Sequence, residues 1–317
     1  RRGRCTGDGP RLNAPALLPG LVVAAHGRHC LVESPDGSRL ICHPRGKKSQ
    51  VVVGDRVRWL ASQDEGTVEK VDTRRNLFYR QDEIRTKSFA ANLDQVLVLL
   101  AADPEFSESQ LSRALIAAEA AGIEPLVLLN KMDLGDAYAR AWARLAPYRD
   151  MGHTVLQLGL KGGAEPDASL ADLQARLAGK TTLVLGPSGA GKSTLINRLV
   201  PTAGAQTGEV SRALNSGKHT TTSTTWYWVD TERQTALIDS PGFQEFGLHH
   251  IEATRLPALM RDFAPLLGGC RFYNCTHLHE PGCAVRDAVD RLEAPRITPQ
   301  RYAIYQGLFE ELSAPRY

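Results

Sequence analysis

The 317-residue sequence lacks any run of about 18 consecutive apolar residues, which is the length that a membrane-spanning helix needs. No signal-peptide pattern opens it, and it lacks the low hydrophobic content that is typical of disordered chains. These absences argue against a membrane-embedded, secreted or largely disordered protein. We expect a cytoplasmic protein with two or three folded domains.

Cysteine is scarce, with only six residues in the whole chain. Three lie within the first 42 residues, whereas Cys270, Cys275 and Cys283 fall within fourteen residues of one another. Without a secretory signal we do not expect a disulfide framework. Clustered cysteines in such a chain instead indicate a metal site.

Net charge is nearly absent as well, since 38 Lys and Arg oppose 35 Asp and Glu. The average hides an uneven distribution, because residues 1–90 carry 17 basic against 10 acidic side chains. Residues 91–250 carry 13 against 17, and residues 251–317 carry 8 against 8. The basic excess in the N-terminal third suggests that this part faces a polyanion.

The N-terminal third divides into a tail and a small β-domain. Residues 1–18 are rich in Gly, Pro and Arg, and we interpret them as a flexible basic tail. Short alternating runs then predict a closed β-barrel of the OB type over residues 19–76, although a small sandwich or an SH3-like barrel would look similar. We interpret residues 73–91 as a polar, basic connection.

From residue 92 onward the pattern is that of an α/β domain, which we assign to residues 77–250. Residues 107–121 have helical spacing. Apolar runs typical of buried parallel strands recur at residues 96–101, 125–129, 154–158, 181–185 and 235–238. Residues 251–317 predict a third, mainly helical domain around the clustered cysteines.

A complete phosphate-loop motif, G-x-x-x-x-G-K-[ST], follows the run at residues 181–185. Its glycines would let backbone N–H groups converge on phosphate oxygens at the start of a helix. Lys192 would reach the β- and γ-phosphates as a catalytic group, and the Ser193 hydroxyl would bind Mg²⁺. We expect nucleotide contacts from Gly186, Ser188, Gly189, Ala190, Gly191, Lys192, Ser193 and Thr194.

Asn130, Lys131 and Asp133 form an N-K-x-D motif directly after the run at residues 125–129. The Asp133 carboxylate can accept two hydrogen bonds from the N1–H and N2 edge of guanine, which adenine does not present. Asn130 would brace the loop or contact the base, and the Lys131 stem would pack over the ring. Such a short motif also occurs by chance, but beside a complete phosphate loop it predicts specificity for GTP.

Asp239 and Gly242 form a D-x-x-G motif after the last apolar run. The carboxylate would hold Mg²⁺ through water, and the Gly242 N–H would meet the γ-phosphate. In the threonine-rich stretch upstream, we expect Thr221 to complete the Mg²⁺ coordination and to act in catalysis. Thr220 is the second choice for this role, and we also expect it to contact the nucleotide.

The position after D-x-x-G holds Phe243, whereas many GTPases have a Gln there that orients the attacking water. We therefore expect slow intrinsic turnover. His219 lies beside the threonines and is the candidate catalytic residue for orienting water, although a histidine that only shapes the loop would fit equally well.

The motifs occur in an unusual order. In an ordinary GTPase the phosphate loop precedes the guanine motif, whereas here Asn130 precedes Gly186 by more than fifty residues. A circular permutation explains this order and keeps every motif at the end of a strand. It also places the D-x-x-G segment directly before residues 251–317, so that a nucleotide-driven movement would act on them.

Cys270, Cys275, His277 and Cys283 offer three thiolates and one imidazole. Such a set suits tetrahedral Zn²⁺ with no open position, which is typical of a structural site. Reduced buried cysteines or an iron–sulfur cluster would be alternatives, and His279 could replace His277 as the fourth ligand.

Over residues 20 to about 310 the chain resembles the ribosome small-subunit-dependent GTPase A family. The resemblance is carried by the permuted motif order, by the segments Gly-Lys-His-Thr-Thr-Thr and Asp-Ser-Pro-Gly-Phe, and by Asn92-Leu93-Asp94-Gln95 at the start of the first α/β strand. The resemblance implies an OB-fold, a permuted P-loop GTPase and a C-terminal zinc domain in which His277 is the fourth ligand. It implies a GTPase that binds the small ribosomal subunit and its 16S rRNA, acts late in subunit maturation, and turns over GTP to GDP faster on the subunit. We expect a monomer with no membrane partner.

One loop departs from the usual GTPase pattern. The segment after residues 154–158 reads Gly159-Leu160-Lys161 instead of Ser-Ala, which leaves the contact to guanine O6 unassigned.

Two features bear on RNA binding. Basic residues of the N-terminal third are interleaved with Trp59, Phe78 and Tyr79, a mixture that OB barrels use on nucleic acid, although a solvated charged face would look the same. Other functions stay open as well: an ATP-using P-loop enzyme with a chance N-K-x-D, or an RNA-binding protein whose GTP switch is unrelated to the ribosome.

Overall fold

The structure is a computed structural model that describes residues 16–46, 50–62, 65–160, 168–204, 224–242, 246–291 and 296–314. No helix in these ranges is both long enough and apolar enough to cross a lipid bilayer.

Five strands near the N-terminus close into a barrel: β1 (Leu18–His26), β2 (His29–Glu33), β3 (Arg39–Pro44), β4 (Arg56–Ala61) and β5 (Gly66–Val71). β1 pairs with both β2 and β4, and β3 runs parallel to β5, so the order β1-β2-β3-β5-β4 returns to β1. Alternate side chains such as Val22, Val32 and Trp59 fill the interior. The predicted OB-type barrel is confirmed.

Of the three aromatic residues that the sequence suggested for RNA binding, two are buried and Tyr79 is half-buried. Trp59 is 3% exposed and Phe78, which follows the barrel, is fully buried, so neither ring can stack on a base. Trp59 is buried because a small barrel needs large side chains to fill its interior, whereas Phe78 packs into the neighbouring core. Nearby arginines form ion pairs within the fold: Arg45 with Glu69, Arg58 with Asp72, Arg74 with Asp55 and Arg75 with Asp94.

The segment that we interpreted as a polar connection contains a β-hairpin, made of β6 (Leu77–Gln81) and β7 (Thr86–Ala91). Phe78 and Phe89 point from it into the core, where the ring of Phe246 stacks on Phe89 with centroids 6.1 Å apart. The sequence did not predict this hairpin, because polar residues occupy the positions that face outward.

The central domain has a sheet flanked by helices. Its strands are β8 (Gln95–Ala101), β9 (Glu124–Asn130), β10 (Thr154–Gln157), β11 (Thr181–Leu185), β12 (Thr224–Trp228) and β13 (Ala236–Asp239). The helices are α1 (Glu108–Ala120), α2 (Asp136–Arg144), α3 (Ala146–Asp150), α4 (Ala168–Leu177) and α5 (Lys192–Leu199). The predicted parallel strands are confirmed, with ends that differ by a residue or two.

The strand order β10-β9-β8-β11-β13-β12 decides where a ligand can bind. The chain runs outward from β8 through β9 to β10 and then returns to β11 on the other side of β8. The carboxyl ends of β8 and β11 therefore border a crevice at a topological switch point, the usual ligand position in an open α/β sheet.

Strand β12 was not predicted, and it joins the barrel to the central sheet. It pairs antiparallel with β13 through Thr225 and Asp239, and with β1 through Thr225 and Ala24. One sheet of eleven strands therefore passes through both parts. The predicted domain limits at residues 76/77 and 250/251 stay predictions.

The C-terminal part is built from short helical pieces, as predicted: 3-10 helices Ala253–Leu259 and Ala264–Gly269, α6 (Ala284–Asp287) and α7 (Pro299–Ser313). A buried ion pair holds this part together, and the arginine of that pair also bonds to the central domain. Both guanidinium bonds from Arg301 to the Asp262 carboxylate are 2.9 Å long, and Arg301 also donates to the hydroxyl of Ser112 on α1.

Candidate nucleotide and metal sites

The phosphate loop connects β11 to α5 in a conformation that requires glycine. Gly191 has φ of 103°, and a Cβ atom placed there would lie 2.5 Å from Nδ2 of Asn130. A Cβ atom at Gly186 would lie 2.3 Å from the carbonyl oxygen of Leu99. The loop can lie this close to Asn130 and Leu99 only because these two positions have no side chain. The same property lets its backbone approach a ligand.

Most polar side chains of the loop face outward, and the Lys192 ammonium bonds the loop backbone. Ser188, Gly189, Ser193 and Thr194 are exposed, whereas Ala190 is fully buried. The Lys192 ammonium donates to the carbonyl oxygens of Gly186 and Pro187, at 2.8 and 3.0 Å. Burial lowers the pKa of Lys192, and the Asp239 carboxylate partly offsets this effect.

Asn130 ties the guanine motif to the phosphate loop. Its Nδ2 donates to the carbonyl oxygen of Ala190 at 3.0 Å, and its Oδ1 accepts from the N–H of Leu160 at 3.4 Å. Of the two roles that the sequence left open for Asn130, these contacts support the bracing role. They also bring Gly159 and Leu160 to the rim of the crevice, where Gly159 lies against Met132.

The rest of the guanine motif turns outward at the carboxyl end of β9. Lys131 has a left-handed backbone with φ of 72°, and its ammonium donates to the carbonyl oxygen of Asp103. Asp133 is exposed in the 3-10 turn Met132–Leu134. Its carboxylate is therefore accessible to a base placed beside the phosphate loop.

The D-x-x-G segment lies against the phosphate loop. A Cβ atom at Gly242 would be 3.3 Å from the Lys192 ammonium and 3.4 Å from the Ser188 N–H. Asp239 is 8% exposed, and its Oδ1 has no hydrogen-bond partner among the described residues. Burial raises its pKa to about 6, although Lys192 opposes the shift. A buried, unpaired carboxylate oxygen beside a phosphate loop fits a site that a divalent cation completes.

Three predicted site residues, His219, Thr220 and Thr221, lie outside the described residues, as do Phe243 and Lys161. Their predicted roles stay predictions.

The four predicted metal ligands converge. One ligand atom from each of Cys270, Cys275, His277 and Cys283 lies within 4.8 Å of the others. The Nδ1 atom of His277 is 3.5 Å from the Cys270 sulfur and 3.4 Å from the Cys283 sulfur. Nitrogen and sulfur ligands of a tetrahedral zinc ion are about 3.5 Å apart, so the donor set fits the metal. His279 is exposed and does not belong to this cluster.

Glu280 supports the cluster, and the sequence analysis did not select it. Its carboxylate accepts from the N–H and hydroxyl of Thr276, and from the N–H groups of Leu278 and His279. It thereby fixes the turn that carries Cys275 and His277. Two tyrosines of α7 hold the same turn, because Tyr302 and Tyr305 donate to the carbonyl oxygens of His277 and Thr276.

Arg113 is a second residue that the motifs did not reveal. From α1 it donates to the carbonyl oxygen of Phe246, shortly after the D-x-x-G motif, and to the Glu311 carboxylate on α7. It therefore links the segment after the nucleotide site to the C-terminal helix.

Comparison with known proteins agrees with this arrangement. Residues 71–249 match the family model for the RsgA GTPase. The small ribosomal subunit biogenesis GTPase RsgA of Variovorax paradoxus is 67% identical over 316 residues, which cover 99% of both chains. The protein of the same name from Burkholderia pseudomallei strain K96243 is 55% identical over 93% of this chain and 92% of its own.

Two solved structures share the fold. The crystal structure of YjeQ from Thermotoga maritima has a TM-score of 0.70 and 28% identity, and the match covers 95% of this chain and all of the other. YloQ, described as a circularly permuted GTPase, has a TM-score of 0.67 and 27% identity over 98% of this chain and all of the other. The unusual motif order is thus a circular permutation, and the chain is a GTPase that belongs to the RsgA GTPase family.

Proposed function

We propose that this GTPase binds the small ribosomal subunit through its 16S rRNA and assists a late step of subunit maturation. In this proposal the triphosphate form docks on the subunit, the subunit stimulates hydrolysis, and the GDP form leaves. Relatives at 67% and 55% identity are named small ribosomal subunit biogenesis GTPases. We further propose that the protein acts as a monomer in the cytoplasm.

Guanine recognition is assigned to the crevice between the N-K-x-D turn and the phosphate loop. The exposed Asp133 carboxylate would accept from the guanine edge, while Asn130 holds that turn at a fixed distance from the phosphate loop. The Lys131 ammonium holds the Asp103 carbonyl, which leaves its stem to cover the ring. The Asn130 bond to Ala190 is the observation that carries this guanine-recognition proposal, because it joins the N-K-x-D turn directly to the phosphate loop.

Hydrolysis would depend on how the chain positions the phosphates and the attacking water, and on how it neutralises the phosphate charge. The backbone N–H groups of residues 188–191 and the N-terminus of α5 would hold the phosphates, and Lys192 would exchange its two carbonyl partners for phosphate oxygens. Mg²⁺, when bound, would neutralise the phosphate charge, and Ser193, Asp239 and Thr221 are the residues that would hold it. His219 is proposed to orient the attacking water, since Phe243 has no group that can do so.

The Cys270, Cys275, His277 and Cys283 cluster is proposed to hold one structural Zn²⁺. Three sulfur donors and one nitrogen donor within 4.8 Å of one another favour zinc over harder cations.

GTP turnover with and without purified small ribosomal subunits tests the proposal. We expect slow turnover alone and at least about 10-fold stimulation by the subunits, with large subunits as the matched control. Equal turnover in the three reactions would contradict the ribosomal function and leave the GTPase activity intact. His219→Ala should keep the affinity for GTP and lose the stimulation, and unchanged stimulation would remove His219 from the mechanism.

A further inference from the structure

The stretch between the first two metal ligands, Arg271–Asn274, is an exposed aromatic loop. All four side chains are exposed. Tyr273 is fully exposed, and Phe272 is 41% exposed. No other Phe, Tyr or Trp within the described ranges is exposed to this degree, so the loop is where these ranges offer aromatic faces to solvent.

The exposed aromatic loop is held in place from several directions. Cys270 and Cys275 anchor its two ends at the metal cluster. The Arg271 N–H donates to the carbonyl oxygen of Gly282 at 2.9 Å, and the Cys275 N–H donates to that of Phe272 at 3.3 Å. An aromatic pair on a braced loop loses little conformational freedom when it binds, which favours a contact surface over an accidental exposure.

The charges around the loop favour an anionic partner. Arg271 is the loop's one charged side chain, and its guanidinium lies 5.6 Å from the Phe272 ring centroid. Glu280 is the next acidic residue after the loop along the chain. Its carboxylate oxygens accept hydrogen bonds from backbone N–H groups and from the Thr276 hydroxyl. A phosphate near Arg271 would therefore meet no acidic side chain from the loop itself.

We propose that the exposed aromatic loop binds unpaired RNA nucleotides, with bases stacked on Phe272 and Tyr273, a phosphate at Arg271 and a base edge at the Asn274 amide. Each of these side chains supplies an interaction that single-stranded RNA accepts, whereas bases paired in an A-form helix have no free face for stacking. The proposal rests on the proposed function, since it names the part of the chain that would read exposed rRNA.

This assignment separates two contributions to RNA binding. The barrel has its Trp59 ring buried, so we assign phosphate contacts to its exposed basic residues, such as Arg56. The aromatic loop would supply stacking. Salt dependence distinguishes the two, because removing one phosphate contact lowers the slope of log affinity against log salt by about 0.7 for a single strand, whereas removing a stacked ring leaves it unchanged.

The test uses the full-length, zinc-loaded protein and a fluorescein-labelled 12-nucleotide oligouridine, with the same length of RNA duplex for comparison. We expect Tyr273→Ala to weaken binding of the single strand about 5- to 100-fold with an unchanged salt slope, and Tyr273→Trp to restore it. Arg56→Gln should weaken binding and reduce the slope. Ile84→Ala removes an exposed apolar side chain elsewhere and should have no effect.

Zinc content and melting temperature should be the same in all variants, since Tyr273 contacts solvent. Wild-type affinity of Tyr273→Ala for the oligouridine would overturn the proposal. So would weaker binding to small subunits with unchanged oligouridine binding, because that result would assign the loop to a protein partner. If Tyr273→Ala loses oligouridine binding and small subunits do not stimulate GTP turnover by the wild type, the result would support RNA binding by the loop. The same result would contradict the ribosomal function.

Discussion

The indole N–H of Trp228 donates to the Glu33 carboxylate at 2.8 Å, and this bond joins the barrel to β12, which lies beside the strand that carries Asp239. Glu33 is 5% exposed and also accepts from Arg39 at 2.7 Å, while Arg233 approaches it to 3.7 Å. Trp228 ends β12, whose Thr225 pairs with both Ala24 of the barrel and Asp239. Barrel and nucleotide site are therefore connected by backbone and side-chain bonds within a few residues.

Trp228→Phe should lower the free energy of unfolding by about 2 kcal/mol, because a buried carboxylate loses a donor while an aromatic ring is kept at the position. Urea denaturation of this variant, of Glu33→Met and of the double variant measures the coupling between the two residues, which we expect to be about 1 kcal/mol or more. Strictly additive effects would mean that the bond contributes nothing.

Asp133→Asn should change base preference from guanine to xanthine nucleotides, since an amide donates where the carboxylate accepts. Competition between GTP and XTP for the purified variant measures the change, and we expect at least about 100-fold weaker GTP binding. Asp136→Asn, three residues along at the start of α2, is the control and should bind GTP like the wild type. Retained GTP preference in Asp133→Asn would remove this residue from the base site.

Gly191→Ala should weaken GTP binding on the order of 10- to 100-fold, because a left-handed residue gains a Cβ that collides with Asn130. The matched control is Gly307→Ala on α7, where a Cβ meets no atom within 4 Å. That variant should stabilise the protein by about 0.5–1 kcal/mol and leave GTP affinity unchanged. Equal GTP affinity in both variants would show that the close approach at Gly191 is not required.

Removal of the metal should destabilise the C-terminal part and leave guanine nucleotide binding intact, because the two sites use separate residues. Elemental analysis should give one zinc per chain for the wild type and for His279→Ala, and none for His277→Ala. Zinc retained in His277→Ala and lost in His279→Ala would reverse the assignment of the fourth ligand.

Asp262→Ala should cost about 3–5 kcal/mol of stability, since it leaves the guanidinium of Arg301 buried without its partner. Asp172→Ala breaks the exposed ion pair with Arg176 on α4 and should cost less than about 0.5 kcal/mol. Thermal unfolding of the two variants provides the comparison, and similar melting temperatures would contradict the role given to the buried pair.

The predictable parts of the fold were those with a strong local signal. The buried strands β8, β9 and β11 are continuous apolar runs, and the barrel strands alternate strictly enough to be found. Hairpin β6–β7 was missed because its buried side, with Phe78 and Phe89, is interrupted by charged outward residues. Strand β12 was missed because Thr224–Trp228 has no alternation, being buried between β1 and β13.

By itself the sequence determined the motifs, their permuted order and the chemistry of the metal ligands, because each depends on residue types at short spacing. Tertiary structure decided which side chains meet across long stretches of chain: Asn130 with Ala190, Arg113 with Glu311, Trp228 with Glu33. It also decided which aromatic rings are exposed, Tyr273 and not Trp59, since burial depends on the packing of distant strands and leaves no local pattern in the sequence.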